Sequence, residues 1–441
     1  MVDFMFVLLL IVINFIILLV FSKNTIFELN PKNGSIWVVL LYQMYILICL
    51  PVCLLNIYGA EYFSNVLIFV RDKNVFWISL VSLYALFSFT ITILIFSRFI
   101  DIPFDMASRR KSIENIKLKK FVDATIFCAL VIFIFSYFYL GYRHAFIEAI
   151  LTGKNVLNIR LDNVYQSKLP TQISYLIYLS YVISAIFSGI LLSGKKYLKF
   201  TLYIIISLFL ASIGGQKAPV FTVITLCMLS YISIASFNLS IKRMIFSIFV
   251  YFPFLYIFLF AIVSLQIDNL DFLTFNSYLI GRLGIGQMAG TFETLSIPRI
   301  EGNFYLHIIP FSRIFSDYIP YDKALMMYTE GYRFDEMGVK NSFFISEAYG
   351  IGGWALLMAS PFIVATNFIL GIKFFFLFLK KIFDESVAIV FAFPIFILTA
   401  NLTSGFSSFP LFKGLIQIII LFLFVWLFYY LSTRISFFRK N

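Results

Sequence analysis

Apolar runs of about twenty residues, recurring along almost the whole chain, limit what this sequence can fold into. A helix of that length spans the roughly 30 Å hydrocarbon core of a bilayer. The runs begin near Val2, Ile36, Val75, Phe121, Gln172, Tyr197, Pro219, Met244, Tyr349, Ser386 and Gly414. A soluble alternative fails on composition, because only 13% of residues are charged where a soluble domain carries about a quarter. The expected fold class is all-α: a polytopic integral membrane helix bundle of about 11–12 transmembrane helices. One transmembrane domain is expected over 1–441, with a polar insert over 266–346.

The net charge of +12 raises the question of nucleic acid, but the basic residues sit in short loops between apolar runs. That placement follows the positive-inside rule and leaves no basic face on a soluble domain. No nucleic-acid partner is expected; the bilayer is. Cys49, Cys53, Cys128 and Cys227 all lie within apolar runs and suggest packing rather than disulfides or zinc. The first run lacks a basic lead and a small-residue cleavage site, so it is expected to remain as a helix.

The loop from Ser97 to Lys120 holds seven Lys or Arg against three acidic residues and is expected in the cytoplasm. Alternation then places the 266–346 insert outside. Its six basic and nine acidic residues make it net negative, which agrees.

Charge, histidine and glycine gather in this insert: Arg282, Glu293, Arg299, His307, Arg313, Arg333 and Lys340. It is expected to act as a lid over a membrane-embedded site. Three external stretches bring cations to one side: Arg160 between runs four and five, Gly214–Lys217 between six and seven, and Gly281-Arg282. An arginine fork matches phosphate oxygens, and a Gly-Gly turn before a helix N-terminus admits an anion. Candidate bases are His307, Glu293 and Glu347, with His144 ranked lower. Asp335-Glu336 lacks a third ligand, so no metal site is expected. No P-loop, GxSxG or HExxH pattern occurs, and no cofactor is expected.

Over most of residues 120 to 430 the chain resembles the Wzy-type O-antigen and oligosaccharide repeat-unit polymerases. Arg160 to Gln166 looks like the family's Arg-containing stretch, and Gly214-Gly215-Gln216-Lys217 like its Gly-Gly-x-Arg/Lys turn. Arg282 looks like the arginine opening its long periplasmic loop, and Ser342 to Gly353 like that loop's tail. The resemblance implies a GT-C-like bundle in the bacterial inner membrane with one large periplasmic loop. It implies metal-independent glycosyl transfer between undecaprenyl-pyrophosphate-linked oligosaccharides, and a chain-length regulator protein as partner. The expected catalytic residues are Arg282, His307 and Glu347. Arg160, Lys217, Arg282, Arg299, Arg313 and Arg333 are expected to hold pyrophosphate and glycan. O-antigen ligases share the architecture, and a flippase is the rival of another class. Nearly charge-free helix interiors and the lack of an internal repeat weigh against transport.

Overall fold

A computed structural model describes residues 2–29, 34–99, 116–154, 156, 158–159, 163, 171–235, 253, 256–257, 259–261, 263–264, 270–310, 312, 316–331, 340–399, 401–403 and 405–438. All regular elements among them are helical. In order they are α1 (Val2–Phe21), α2 (Gly34–Leu40, Leu41–Cys49 and Leu50–Tyr58 in succession), α3 (Asp72–Ser97), α4 (Ile116–Leu140) and α5 (Ala145–Thr152). Then come α6 (Thr171–Ser193), α7 (Tyr197–Ser212), α8 (Lys217–Ala235), α9 (Phe272–Leu279), α10 (Ala289–Thr294) and α11 (Tyr321–Glu330). The last are α12 (Phe344–Ile382), α13 (Glu385–Thr399) and α14 (Lys413–Phe438).

Among the described residues, six helices are long and apolar enough to cross a membrane: Val2–Phe21, Ile36–Tyr58, Asp72–Ser97, Leu118–Leu140, Ile173–Ser193 and Phe344–Ile382. Four shorter apolar helices follow the remaining runs: Tyr197–Ser212, Ala218–Ile234, Val387–Ile397 and Lys413–Leu427. The expected run from Met244 to Leu265 lies largely outside the described residues.

The chain divides into two compact units. The first comprises Met1–Pro103, Phe272–Phe375 and Phe396–Ile416; the second comprises Phe104–Asp271, Phe376–Ile395 and Gln417–Asn441. In the first, buried Asn14 of α1 is satisfied across helices, donating to Thr90 Oγ1 at 3.1 Å and accepting from Tyr45 OH at 2.9 Å. A polar side chain in hydrocarbon binds helices together only when it is paired in this way. Pro51 gives α2 its irregular middle. The proline has no N–H and its ring crowds the carbonyl four residues earlier. The preceding turns, Leu41–Cys49, open into a wider π-helix instead.

From Phe272 on, the described residues of the polar insert are packed into the first unit. Of these, Phe275, Ile285, Met288, Phe292 and Tyr321 are fully buried or nearly so. Ile297, Phe304, Tyr321 and Leu325 form a small apolar core with Ile300, Ala324 and Ile351. Gly290 N–H donates to Asn341 O at 2.9 Å, tying the two ends of the insert together. The insert also ends earlier than expected, because α12 begins at Phe344. Thr291 causes this: its Oγ1 accepts from Phe343 N–H at 2.8 Å and from Ser346 Oγ at 2.9 Å, ordering that first turn.

In the second unit, Ser180, Ser184 and Ser188 line a buried stripe of α6 at four-residue spacing. Ser180 Oγ donates to Thr125 O at 3.0 Å and Ser184 Oγ to Tyr203 O at 3.2 Å, so α6 is held to α4 and α7. Small side chains let helix backbones approach closely, which is how helices associate without a hydrophobic drive between them.

Candidate active site

The site is assembled from three places in the first unit. The first is the 3₁₀ turn Phe304–His307, which presents the imidazole. The second is the first turn of α12, carrying buried Glu347. The third is the turn from Gly405 into α14, carrying Ser407 and Lys413.

His307 Nδ1 lies 2.6 Å from Glu347 Oε1. Ser407 N–H donates to the other carboxylate oxygen at 2.8 Å, and Ser407 Oγ lies 2.9 Å from His307 Nδ1. The short contact to the carboxylate assigns the ring proton to Nδ1, because a carboxylate accepts far better than a hydroxyl. Nε2 then carries the lone pair, and it has no hydrogen-bond partner among the described residues. The His307 side chain keeps 23% of its surface while that of Glu347 keeps 6%. A buried carboxylate therefore holds a partly open imidazole by one nitrogen and presents the other.

The turn around Glu347 requires its glycine. Gly405 sits at φ +94°, and a Cβ there would come within 2.5 Å of Glu347 Oε2. Lys413 Nζ donates to the His307 carbonyl at 2.7 Å and to Tyr318 OH at 3.4 Å, fixing the backbone on which the imidazole hangs. The Asp322 carboxyl is raised above the usual range by burial and then by the charge of Glu347. Ser407 is not a triad nucleophile, because it shares Nδ1 with Glu347 instead of facing Nε2. The arrangement suits removal of a proton from a hydroxyl that approaches Nε2.

A second cluster in the same unit is structural. Glu293 is completely buried and accepts from Ile68 N–H at 2.5 Å and Phe69 N–H at 3.1 Å. Lys340 Nζ lies 3.6 Å from Glu293 and 2.9 Å from Glu330, the latter as an ion pair by distance, off the line of a hydrogen bond. Burial raises the Glu293 carboxyl against the opposing pull of Lys340. Its oxygens are turned to backbone and to Lys340, so this carboxylate clamps the insert to the 59–71 segment.

The other expected site residues divide sharply. Arg299 Nε and Nη2 donate to Gly350 O at 3.1 Å and Ile351 O at 2.7 Å. Those carbonyls lose their helical partners where Gly353, at φ +63°, ψ −154°, breaks α12. Arg299, expected to hold pyrophosphate, thus caps the short helix that carries Glu347; a cation at a helix C-terminus is favoured by the exposed carbonyls and the dipole. The backbone of Arg282 lies in the wide turn Ile280–Gly284 and that of Lys217 opens α8, but their side chains fall outside the described set. Arg160, Arg313, Arg333, Asp335 and Glu336 also lie outside it. Among the described residues no group of three or more His, Cys, Asp or Glu is placed to hold a metal ion.

Ser407 and Lys413 were missed from the sequence. They lie about a hundred residues from His307 and more than fifty from Glu347, in a short connection with no charge excess to mark it. The available signal was the Gly-Phe-Ser turn before the last apolar run. No family model, curated protein or solved structure matches this chain.

Proposed function

We propose that this chain is a membrane glycosyltransferase, a Wzy-type polymerase joining undecaprenyl-pyrophosphate-linked oligosaccharide repeat units on the periplasmic face of the bacterial inner membrane. The observation that carries the reading is the His307–Glu347 pair with Nε2 left open, at the point where the polar insert meets the apolar helix α12. In this reading Nε2 takes the proton of the acceptor hydroxyl as its oxygen bonds to the anomeric carbon of the donor. The bond from that carbon to the phosphate oxygen breaks, and the lipid pyrophosphate leaves. Glu347 holds the imidazole and balances the imidazolium that forms. Arg282, with Arg313 and Arg333, would bind the pyrophosphate, where negative charge develops, and Arg160 and Lys217 are kept as candidate phosphate ligands of the second unit. Arg299 has two of its donors committed to α12 and is reassigned from binding to positioning.

The reading includes a GT-C-like bundle with the insert as its periplasmic loop and a chain-length regulator as partner. A ligase would use the same proton transfer and differ only in its acceptor. The test is elongation by the purified protein in nanodiscs, given a lipid-linked repeat unit. Wild type should form a ladder; His307→Asn should not, at equal yield and thermal stability. A ladder from His307→Asn would remove the base assigned here. A lipid A core acceptor consumed in preference to a second repeat unit would turn the reading to a ligase.

A further inference from the structure

The second unit holds a cleft of about 300 Å³ where the end of α4 meets the short helix α5. Phe133, Ile134, Tyr137 and Phe138 form one wall, and His144, Ile147, Glu148 and Leu151 the other. Around it the surface is strongly apolar: Phe138 is 75% exposed, Ile150 82% and Leu151 76%. A contiguous apolar surface at the end of a candidate membrane span is what an interfacial amphipathic helix presents to lipid.

The polar groups in the lining decide what can bind. His144 Nδ1 accepts from Ile147 N–H at 3.4 Å, and Nε2 meets Phe209 O and Ser212 Oγ, each at 3.2 Å. Burial lowers the His144 pKa and keeps the ring neutral. Glu148 is ion-paired with Arg143. A sugar entering here would lose water and gain little from the imidazole or the carboxylate, whereas a hydrocarbon chain loses nothing. The Arg143 side chain is 58% exposed and commits Nη1 to Glu148, which lines the cleft. Asn163 clamps the Arg143 backbone, its Oδ1 accepting from Arg143 N–H at 3.1 Å and its Nδ2 donating to Arg143 O at 2.8 Å.

We propose that this cleft is a binding site for an anionic phospholipid of the surrounding bilayer, with one acyl chain between α4 and α5 and the phosphate at Arg143. The site lies in a different unit from His307 and does not depend on the glycosyl-transfer reading. An unpaired basic residue at a membrane surface favours an anionic lipid by about five-fold, and because Glu148 partly balances Arg143 that value is the upper bound here.

The test uses the full chain in phosphatidylcholine nanodiscs doped with phosphatidylglycerol carrying a diazirine near the end of one acyl chain. After photolysis, labelling of residues 133–151 should exceed that of the exposed α14 face at Ile420, Leu423, Phe424 and Leu427. A matching phosphatidylcholine probe should label residues 133–151 less, by up to about five-fold. Leu151→Trp and Ile147→Trp each fill the cleft and should return labelling to the α14 level. The double change Arg143→Gln with Glu148→Gln leaves no unpaired charge; it should keep chain labelling but abolish the headgroup preference. Labelling equal to α14 in wild type would overturn the proposal. So would a polyprenyl phosphate probe that outcompetes phosphatidylglycerol. Glycan elongation is read alongside and should stay at the wild-type level in all three variants; failure of the lipid arm alone leaves the His307 reading standing.

Discussion

The two histidines of this chain make opposite use of the same side chain. His144 spends both ring nitrogens on the fold, accepting from Ile147 at the start of α5 and meeting Phe209 O and Ser212. Phe133 and Phe209 pack around it, with ring centroids 6.2 and 4.8 Å away. His307 spends one nitrogen on a buried carboxylate and keeps the other open. The carboxylates repeat the contrast. Glu293 serves two backbone amides and a buried lysine, while Glu347 serves an imidazole that reaches the surface. A polar group whose partners all belong to the fold is structural; one left unpaired at an opening is available for chemistry.

The strongest attempt to break this contrast exchanges the histidines one at a time. His307→Asn should lower elongation by on the order of 100- to 10,000-fold, the usual worth of a general base. His144→Asn should leave the rate within a few-fold at equal folded protein. A larger loss from His144→Asn than from His307→Asn would reverse the assignment.

Next in size is the buried clamp. Lys340→Met leaves Glu293 and Glu330 buried without their cation and should cost about 3–5 kcal/mol, read as a large fall in the melting temperature. Glu293→Gln should be much milder. Burial lifts the Glu293 carboxyl, so its ionised form costs stability at neutral pH, and glutamine still accepts from Ile68 and Phe69. Equal effects from the two changes would mean the cluster is not held as an ionic unit.

Glu347→Gln sharpens the comparison at the open site. The amide keeps the shape but loses the charge that assigns the His307 proton, and the rate should drop by up to about 10,000-fold, as when the carboxylate of a His–carboxylate pair becomes an amide. Ser407→Ala removes only the hydroxyl, since the backbone N–H still holds Glu347; about a 2- to 10-fold loss is expected. The order Glu347 before Ser407 is the test, with elongation measured at constant protein.

The smallest effect on elongation belongs to His144. His144→Ala removes the acceptor at the head of α5 together with the Nε2 contacts to Phe209 O and Ser212, and should cost roughly 1–3 kcal/mol. The pH dependence has a definite sign. With the folded-state pKa below the ordinary 6.5, the unfolded chain binds more protons as pH falls past that value. Stability should therefore decline on acidification below about 6.5, and His144→Asn should flatten part of that slope. An unchanged slope would show that the ring is not held neutral by the fold.

Much of the architecture was legible as hydrophobic period and length. The runs at Val2, Val75, Gln172 and Tyr197 became helices within a few residues of their expected limits. Apolar length fixes a spanning helix almost without reference to its neighbours, because in hydrocarbon every backbone group must be satisfied within the helix. His307 and Glu347 were also visible as chemistry-bearing types in a polar stretch, since charge is scarce elsewhere.

What the sequence alone could not supply was partnership. Arg299 looked like an anion ligand until the break at Gly353 placed two orphaned carbonyls before it. Ser407 and Lys413 carried no local mark, and only the return of the chain after α13 brings them to His307. Glu293 and Glu347 are the same residue type, one within the insert and the other just past its end in α12, and residue type alone does not separate their roles. Helix formation follows from nearest neighbours and solvent, so composition determines it. A side chain's role follows from which distant groups satisfy its hydrogen bonds, and only the tertiary structure decides that.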